Sequence, residues 1–120
     1  MREAFSIIDS GLATPEDVDA AVRYGFGFRY VAAGPILQKE LSGLDTQLAA
    51  ASAIYPTLCK DSQPGEALRT RVAQGRLGTK SLAGFWNWTP EQARAERERF
   101  ESALAAAAAL LAGSPSKLPG

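Results

Sequence analysis

The stretch "GRLGTKSLAGFWNW", Gly75 to Trp88, holds three glycines, two cations and three large aromatic residues within fourteen positions. A glycine-rich run with a lysine raises phosphate binding first. That chemistry needs Gly-x-x-x-x-Gly-Lys followed by Ser or Thr, placed after a strand and opening a helix, so that backbone N–H groups converge on the anion. Here Gly75 and Gly78 have the wrong spacing, and Lys80-Ser81 leads into Leu82-Ala83-Gly84 and not into a helical pattern. The segment reads as an irregular loop between two helical regions. It is not a phosphate cradle.

Outward from this loop the pattern is helical. Met1, Ala4, Phe5, Ile8 and Leu12 recur at helical spacing, with Gly11 as a stop. Thr14-Pro15-Glu16-Asp17 is a start signal, Thr14 serving as N-cap and Pro15 as first helical residue. The glycines of "YGFGFRYVAAG" predict a break after that short helix. Gly34-Pro35 opens another, roughly Pro35 to Leu41, ended by Gly43. Asp45 is expected to cap the next, from Thr46 towards Tyr55, and "KDSQPG" is a loop. Glu66 to Gln74 reads as helix stopped by Gly75. Thr89-Pro90-Glu91-Gln92 is a capping box opening the longest helix, where Arg94–Glu98 and Arg97–Glu101 stand one turn apart and can pair. No alternating strand pattern survives, so the fold class is all-α: a single domain of about five to six helices over residues 1–113, followed by a disordered tail at 114–120. At the other end, a helix under way at Met1 without a cap reads as one that begins upstream, or else as one that frays.

Composition narrows the function. The chain has 120 residues, 13 basic against 13 acidic, so it carries no basic footprint for nucleic acid. A compact domain of this length buries roughly two-thirds of its unfolded surface. With no histidine, the Ser-His-Asp triad, histidine acid–base chemistry and most zinc sites are excluded, and no metal site is expected. The single cysteine, Cys59, has no partner base and fits a structural thiol in a reducing, cytoplasmic setting. The longest apolar run, Ala103 to Ala112, falls short of the ~20 residues that a membrane span requires.

Seven of the ten aromatic residues fall in two glycine-interleaved windows: Tyr24, Phe26, Phe28 and Tyr30, then Phe85, Trp86 and Trp88. They either fill gaps over the helices or form a ligand-facing wall or subunit interface. Asp17 and Asp19 suit a helix N-terminus better than a metal. Glu40 and Asp45 stand apart across a loop, which makes a weak carboxylate pair.

Taken in order, "EAFSIIDSGLATPEDVDAAVRYGFGFRYVAAGP", "GLD" and "GRLGTKSLAGFWNW" resemble the C-terminal domain of the 3-hydroxyacyl-CoA dehydrogenases over about Arg2 to Trp88. Glu3 and Ala4 match that family's first helix, Gly11 through Asp19 its Gly-x-x-x-Pro-Glu-Asp segment, and Gly34-Pro35 its Gly-Pro turn. Gly75, Gly78, Lys80, Gly84 and Phe85 match its closing pattern, which explains the opening stretch as a structural loop. "FGFRYVAAGP", with Arg-Tyr before a longer link, is similar to the lambda-crystallin and L-gulonate 3-dehydrogenase branch.

The resemblance implies the dimerisation domain of a 6-phosphogluconate-dehydrogenase-like C-terminal fold. It implies a homodimer as partner, and a substrate-covering role in an oxidoreductase that uses NAD. The family's Rossmann NAD-binding domain, its catalytic histidine and glutamate and its Asn-Arg motif have no position in this chain. No catalytic or cofactor-binding residue carries over, and the chain alone is expected to be inactive and to bind no NAD. Arg29, beside the Gly-Pro turn, is the candidate for a substrate carboxylate, or else an arginine stacked on its neighbours. Lys80 is a candidate for an acyl-CoA phosphate, or else a solvated loop cation. The alternative function is a non-catalytic helical association module that keeps the fold alone.

Overall fold

The computed structural model describes residues 1–115 and residue 118; residues 116, 117, 119 and 120 of the expected disordered tail lie outside the described residues. Six α-helices follow in order: α1 Arg2–Asp9, α2 Pro15–Ala20, α3 Pro35–Ser42, α4 Leu44–Ile54, α5 Glu66–Ala73 and α6 Pro90–Gly113. No strand occurs among the described residues, only two isolated antiparallel bridges inside the Gly75–Trp88 loop. The fold is all-α.

The local signals act where the sequence puts them. Thr14 caps α2 and Thr89 caps α6, each through a reciprocal capping box with Asp17 and Gln92. α1 and α5 both end in a Schellman turn: Leu12 N bonds to Ile7 O at 3.1 Å and Arg76 N to Arg71 O at 2.9 Å. Gly11 and Gly75 take the left-handed conformation which that turn needs, at φ 69° and 73°.

Three expectations are corrected. The glycines of "YGFGF" do not break the chain. α2 runs on as a π-helical turn, Ala21–Phe26, and a 3-10 turn, Gly27–Val31. Gly27 stays right-handed at φ −63°; what requires glycine there is space, since a Cβ would stand 2.7 Å from Val22 O. Asp45 does not cap α4, because the helix starts two residues earlier than expected, at Leu44, with Gly43 at the N-cap position at φ 97°. Arg94–Glu98 and Arg97–Glu101 do not pair; the one ion pair among the described residues is Glu96 with Arg99, three residues apart and both half-exposed.

Tertiary order is carried by a few long-range ties. The Asp9 carboxylate accepts from Ala67 N at 2.6 Å and so caps α5 from the end of α1. Gly65 leaves room for it, because a Cβ there would run into that carboxylate. The Glu3 carboxylate accepts from Cys59 N at 2.6 Å. α3 packs on α4, α1 on α5, and α6 touches the 3-10 turn at Gly27–Val31.

The largest departure from expectation is compactness. Among the described residues no apolar side chain is fully buried. The radius of gyration is 18.0 Å, against about 14 Å for a compact domain of this length. The chain exposes 9324 Å², roughly half of its extended surface and about 3,000 Å² more than a compact monomer of its mass. The physical reason is arrangement. α6, about 36 Å long, and the helical run at 21–31 lie over few neighbours, so their apolar faces stay open.

Candidate functional site

The loop Gly75–Trp88 is tied to itself. Gly78 and Ala83 exchange backbone bonds of 2.8 and 3.1 Å, Gly84 N bonds to Trp86 O at 2.8 Å, and Trp88 N to Leu82 O at 2.9 Å. Ser81 Oγ accepts from Leu77 N and donates to the carbonyls of Gly78 and Ala83. Gly84, the one buried residue among those described, lets two backbone segments meet: a Cβ on it would stand 2.9 Å from Gly78 Cα. Gly78 turns the chain at φ 87° and Leu82 sits in the left-handed region at φ 56°.

Arg76 is the hub. Its Nε and Nη2 both donate to Gly84 O, at 3.0 and 2.7 Å, and Nη2 also donates to Asn87 Oδ1 at 3.0 Å. Arg71, projecting from α5, lays its guanidinium 3.8 Å from the centre of the Phe85 ring, and Phe85 in turn stacks on Phe5 at 6.2 Å. Trp86 meets Trp88 edge-on at 6.3 Å, and its indole N–H donates to the Glu16 carboxylate at the start of α2.

These side chains border an open groove of about 410 Å³. Arg71, Arg76 and Lys80 all face it, with Trp86 and Trp88 beside them, and no carboxylate is among its lining residues. Lys80, in the 3-10 turn Thr79–Ser81, is exposed and forms no hydrogen bond or ion pair among the described residues. Arg29 is elsewhere, exposed in the 3-10 turn Gly27–Val31 with its guanidinium 5.9 Å from the Phe28 ring centre. The groove does not include it, so the two sequence-predicted binding residues are not brought together.

The first aromatic window is an open surface: Tyr24, Phe26, Phe28 and Tyr30 are all exposed, and Tyr24 reaches 74%. Gap filling is therefore not their role within this chain. Cys59, half-buried, borders a separate hollow of about 230 Å³ with Arg2, Asp9 and Gln63. No cluster of three metal-ligating side chains occurs among the described residues, and no helix among them is long and apolar enough to cross a membrane.

Two carboxylates at the start of α2 are held below their ordinary range. Hydrogen bonds from the Thr14 hydroxyl and then the Thr14 backbone N–H do this for Asp17, and its own backbone N–H and then the Trp86 indole do it for Glu16. Glu96 is lowered too, chiefly by its bonds from Arg99. Sequence reading missed Arg71, Arg76 and Glu16. The signal for Arg71 was present, since an arginine on the last turn of α5 sits beside the loop that follows it. Nothing local connects Glu16 with Trp86, 70 residues away.

The comparisons bear on the same region. Residues 1–88 match the family model described as 3-hydroxyacyl-CoA dehydrogenase, C-terminal domain, which stops just before α6. The 5-formyl-3-hydroxy-2-methylpyridine 4-carboxylate 5-dehydrogenase of Mesorhizobium japonicum is 27% identical over 113 residues, covering 94% of this chain and 37% of the relative. The 3-hydroxyadipyl-CoA dehydrogenase of Escherichia coli K12 is 34% identical over 98 residues, 80% of this chain and 19% of the relative. A crystal structure of a 5-formyl-3-hydroxy-2-methylpyridine 4-carboxylic acid 5-dehydrogenase, described as an NAD+-dependent dismutase, superposes with TM-score 0.89 at 27% identity, over 94% of this chain and 37% of that one. The chain thus spans about a third or less of the length of these relatives. With the closing loop, the capped α2 and the all-α architecture in agreement, the chain belongs to the 3-hydroxyacyl-CoA dehydrogenase family, as its C-terminal helical domain.

Proposed function

We propose that this helical domain covers the substrate of an NAD-dependent hydroxyacyl-CoA or hydroxy-acid dehydrogenase of the cytoplasm and pairs with a second copy of itself. One observation carries the pairing: the chain exposes 9324 Å² with no buried apolar side chain among its described residues. The surplus of about 3,000 Å² over a compact monomer is the scale at which obligate interfaces bury surface. A two-fold arrangement is the commonest way to cover such a face. Light scattering after gel filtration at tens of micromolar is expected to give a dimer; monomer alone at that concentration overturns the pairing.

The phosphate-binding turn on which a Rossmann domain seats a nicotinamide dinucleotide has no counterpart among the described residues. They hold no strand leading into a glycine-rich turn, and in the glycine loop they do hold the N–H groups of Gly78, Ala83, Gly84 and Trp88 are bonded to the loop's own carbonyls. In this reading the cofactor, which supplies the hydride chemistry, belongs to a separate Rossmann domain. The residues here position the substrate.

Within the family, "FGFRYVAAGP" favours the hydroxy-acid branch similar to lambda-crystallin and L-gulonate 3-dehydrogenase, and the relative whose named substrate is a 4-carboxylate supports a free acid. Arg29 is the residue for it. A guanidinium holds a carboxylate through two parallel hydrogen bonds, and Arg29 is exposed, with its guanidinium 5.9 Å from the Phe28 ring centre and in no ion pair among the described residues. In the complete enzyme Arg29→Lys weakens transition-state binding of a free hydroxy acid. Arg29→Met costs more, on the order of 2–4 kcal/mol. Neither affects an acyl-CoA equally, because a thioester offers no carboxylate. Equal loss of kcat/KM on both substrates makes Arg29 structural.

A further inference from the structure

The groove at the closing loop gathers three cations in this electrically balanced chain. Arg71, Arg76 and Lys80 border it, and none of its lining residues is Asp or Glu. The three are not equivalent. Arg76 has committed three hydrogen bonds to Gly84 and Asn87 and serves the loop. Arg71 donates once, from Nη1 to Ala67 O at 2.8 Å, and is held against Phe85, so its guanidinium is fixed in position with most of its donors free. Lys80 is exposed and makes no hydrogen bond or ion pair among the described residues. Beside this pair stand two indoles fixed edge-to-face, Trp86 being anchored to Glu16. An immobilised guanidinium and a free ammonium next to aromatic faces suit a ligand with a planar ring and a doubly charged anion: the ring stacks and the anion takes the charge-assisted bonds. The groove is of ligand size.

We propose that this groove binds a phosphate-bearing planar ring of mononucleotide size. Arg71 and Lys80 hold the phosphate, and Trp86 or Trp88 stacks on the ring. The site differs from a glycine-loop phosphate cradle, because side-chain cations and not backbone N–H groups supply the donors. It shares no lining residue with Arg29 and does not rest on the dehydrogenase reading.

The chain provides its own probe. Its only two tryptophans, Trp86 and Trp88, both border the groove. Titration of the full chain with adenosine 5′-monophosphate, followed by tryptophan emission corrected against free tryptophan, is expected to show saturable quenching with Kd on the order of 0.1–1 mM. Adenosine and inorganic phosphate, tested separately, bind at least about tenfold more weakly, since each supplies half of the recognition. Lys80→Ala weakens the nucleotide about tenfold and leaves adenosine unchanged, and Lys80→Arg restores most of the loss. Lys80 is exposed in a turn, so helicity by circular dichroism stays constant in both variants. Arg71→Gln repeats the loss from the other side. Any of four results overturns the proposal: no saturation by millimolar nucleotide, adenosine binding as tightly as its phosphate, phosphate alone binding as tightly as the nucleotide, or full nucleotide affinity in Lys80→Ala.

Discussion

Residues 24–30 and residues 85–88 are both crowded with aromatic rings and flanked by glycine, yet the chain treats them differently. In the first window the glycines stay in the right-handed region, the backbone keeps winding as π-helical and then 3-10 turns, and all four rings are left exposed. In the second the glycines at 75 and 78 turn the chain at positive φ, the loop closes on its own hydrogen bonds, and Phe85 and Trp88 are half-buried. Composition does not separate the two. What separates them is what the backbone does there: it keeps winding in the first, where Gly27 comes close to Val22, and reverses in the second, where Gly75 and Gly78 take positive φ and Gly84 lets the two arms meet. A helical run presents side chains all round and must find cover elsewhere, whereas a reversed loop covers part of itself.

The contrast is open to direct attack. Gly84→Ala is expected to have the largest effect, because its Cβ meets backbone, which cannot step aside. The loop is forced apart at a cost of about 2–3 kcal/mol, read as a lowered urea midpoint at unchanged slope. A loss below about 0.5 kcal/mol would mean that the loop is less tightly closed than its hydrogen bonds indicate.

Two alanine substitutions in the first window, two positions apart, sharpen the same comparison. Gly27→Ala places a methyl 2.7 Å from Val22 O and should cost about 1–2 kcal/mol. Gly25→Ala meets nothing within 4 Å and its φ is not positive, so it should stabilise by about 0.5 kcal/mol through the unfolded chain. Equal losses at both sites would show that the helical winding, and not the contact with Val22, is what glycine provides.

The smallest effect is electrostatic, and it tests the tie between the loop and α2. Glu16 and Asp17 have folded-state pKa values below their ordinary ones. Their contribution is therefore present above the ordinary carboxylate range and is lost as pH falls through the lowered values. Both groups are exposed, so the loss is small. Trp86→Phe removes the indole donor to Glu16, so it should lower stability slightly above pH ~6 and leave it unchanged at the acid end, which flattens the acid limb of a stability–pH curve. An unaltered acid limb would detach Trp86 from the role given to it.

What was legible in the sequence follows the reach of each interaction. Thr14 with Asp17, and Thr89 with Gln92, act over three residues, and the capping pattern states them outright. Gly11 and Gly75 act as helix stops for the same local reason. Asp45 misled because a cap signal is degenerate over one or two positions, and Gly43, free to take φ 97°, allowed α4 to begin first. The π-helical turn escaped because glycine on a helix reads as a break unless its close contact is known. The groove escaped for a different reason: Lys80 is visible in the loop, but its neighbour Arg71 belongs to the preceding helix. Arg29 and Lys80 each read as binding residues in the sequence, and the fold puts them in different places.

The two carboxylates of α1 carry one more consequence. Glu3 holds Cys59 and Asp9 holds Ala67, so the ends of the segment between them are pinned to one rigid helix, whatever lies in the middle. Lys60 to Gly65 then behaves as a bight of rope between two cleats. Lengthening it at Ser62–Gln63 changes only the closure entropy, which grows by about 0.6 kcal/mol for each doubling of loop length. It is the point on this chain where a tag, a recognition peptide or a protease site can be spliced in while the helices on either side keep their places.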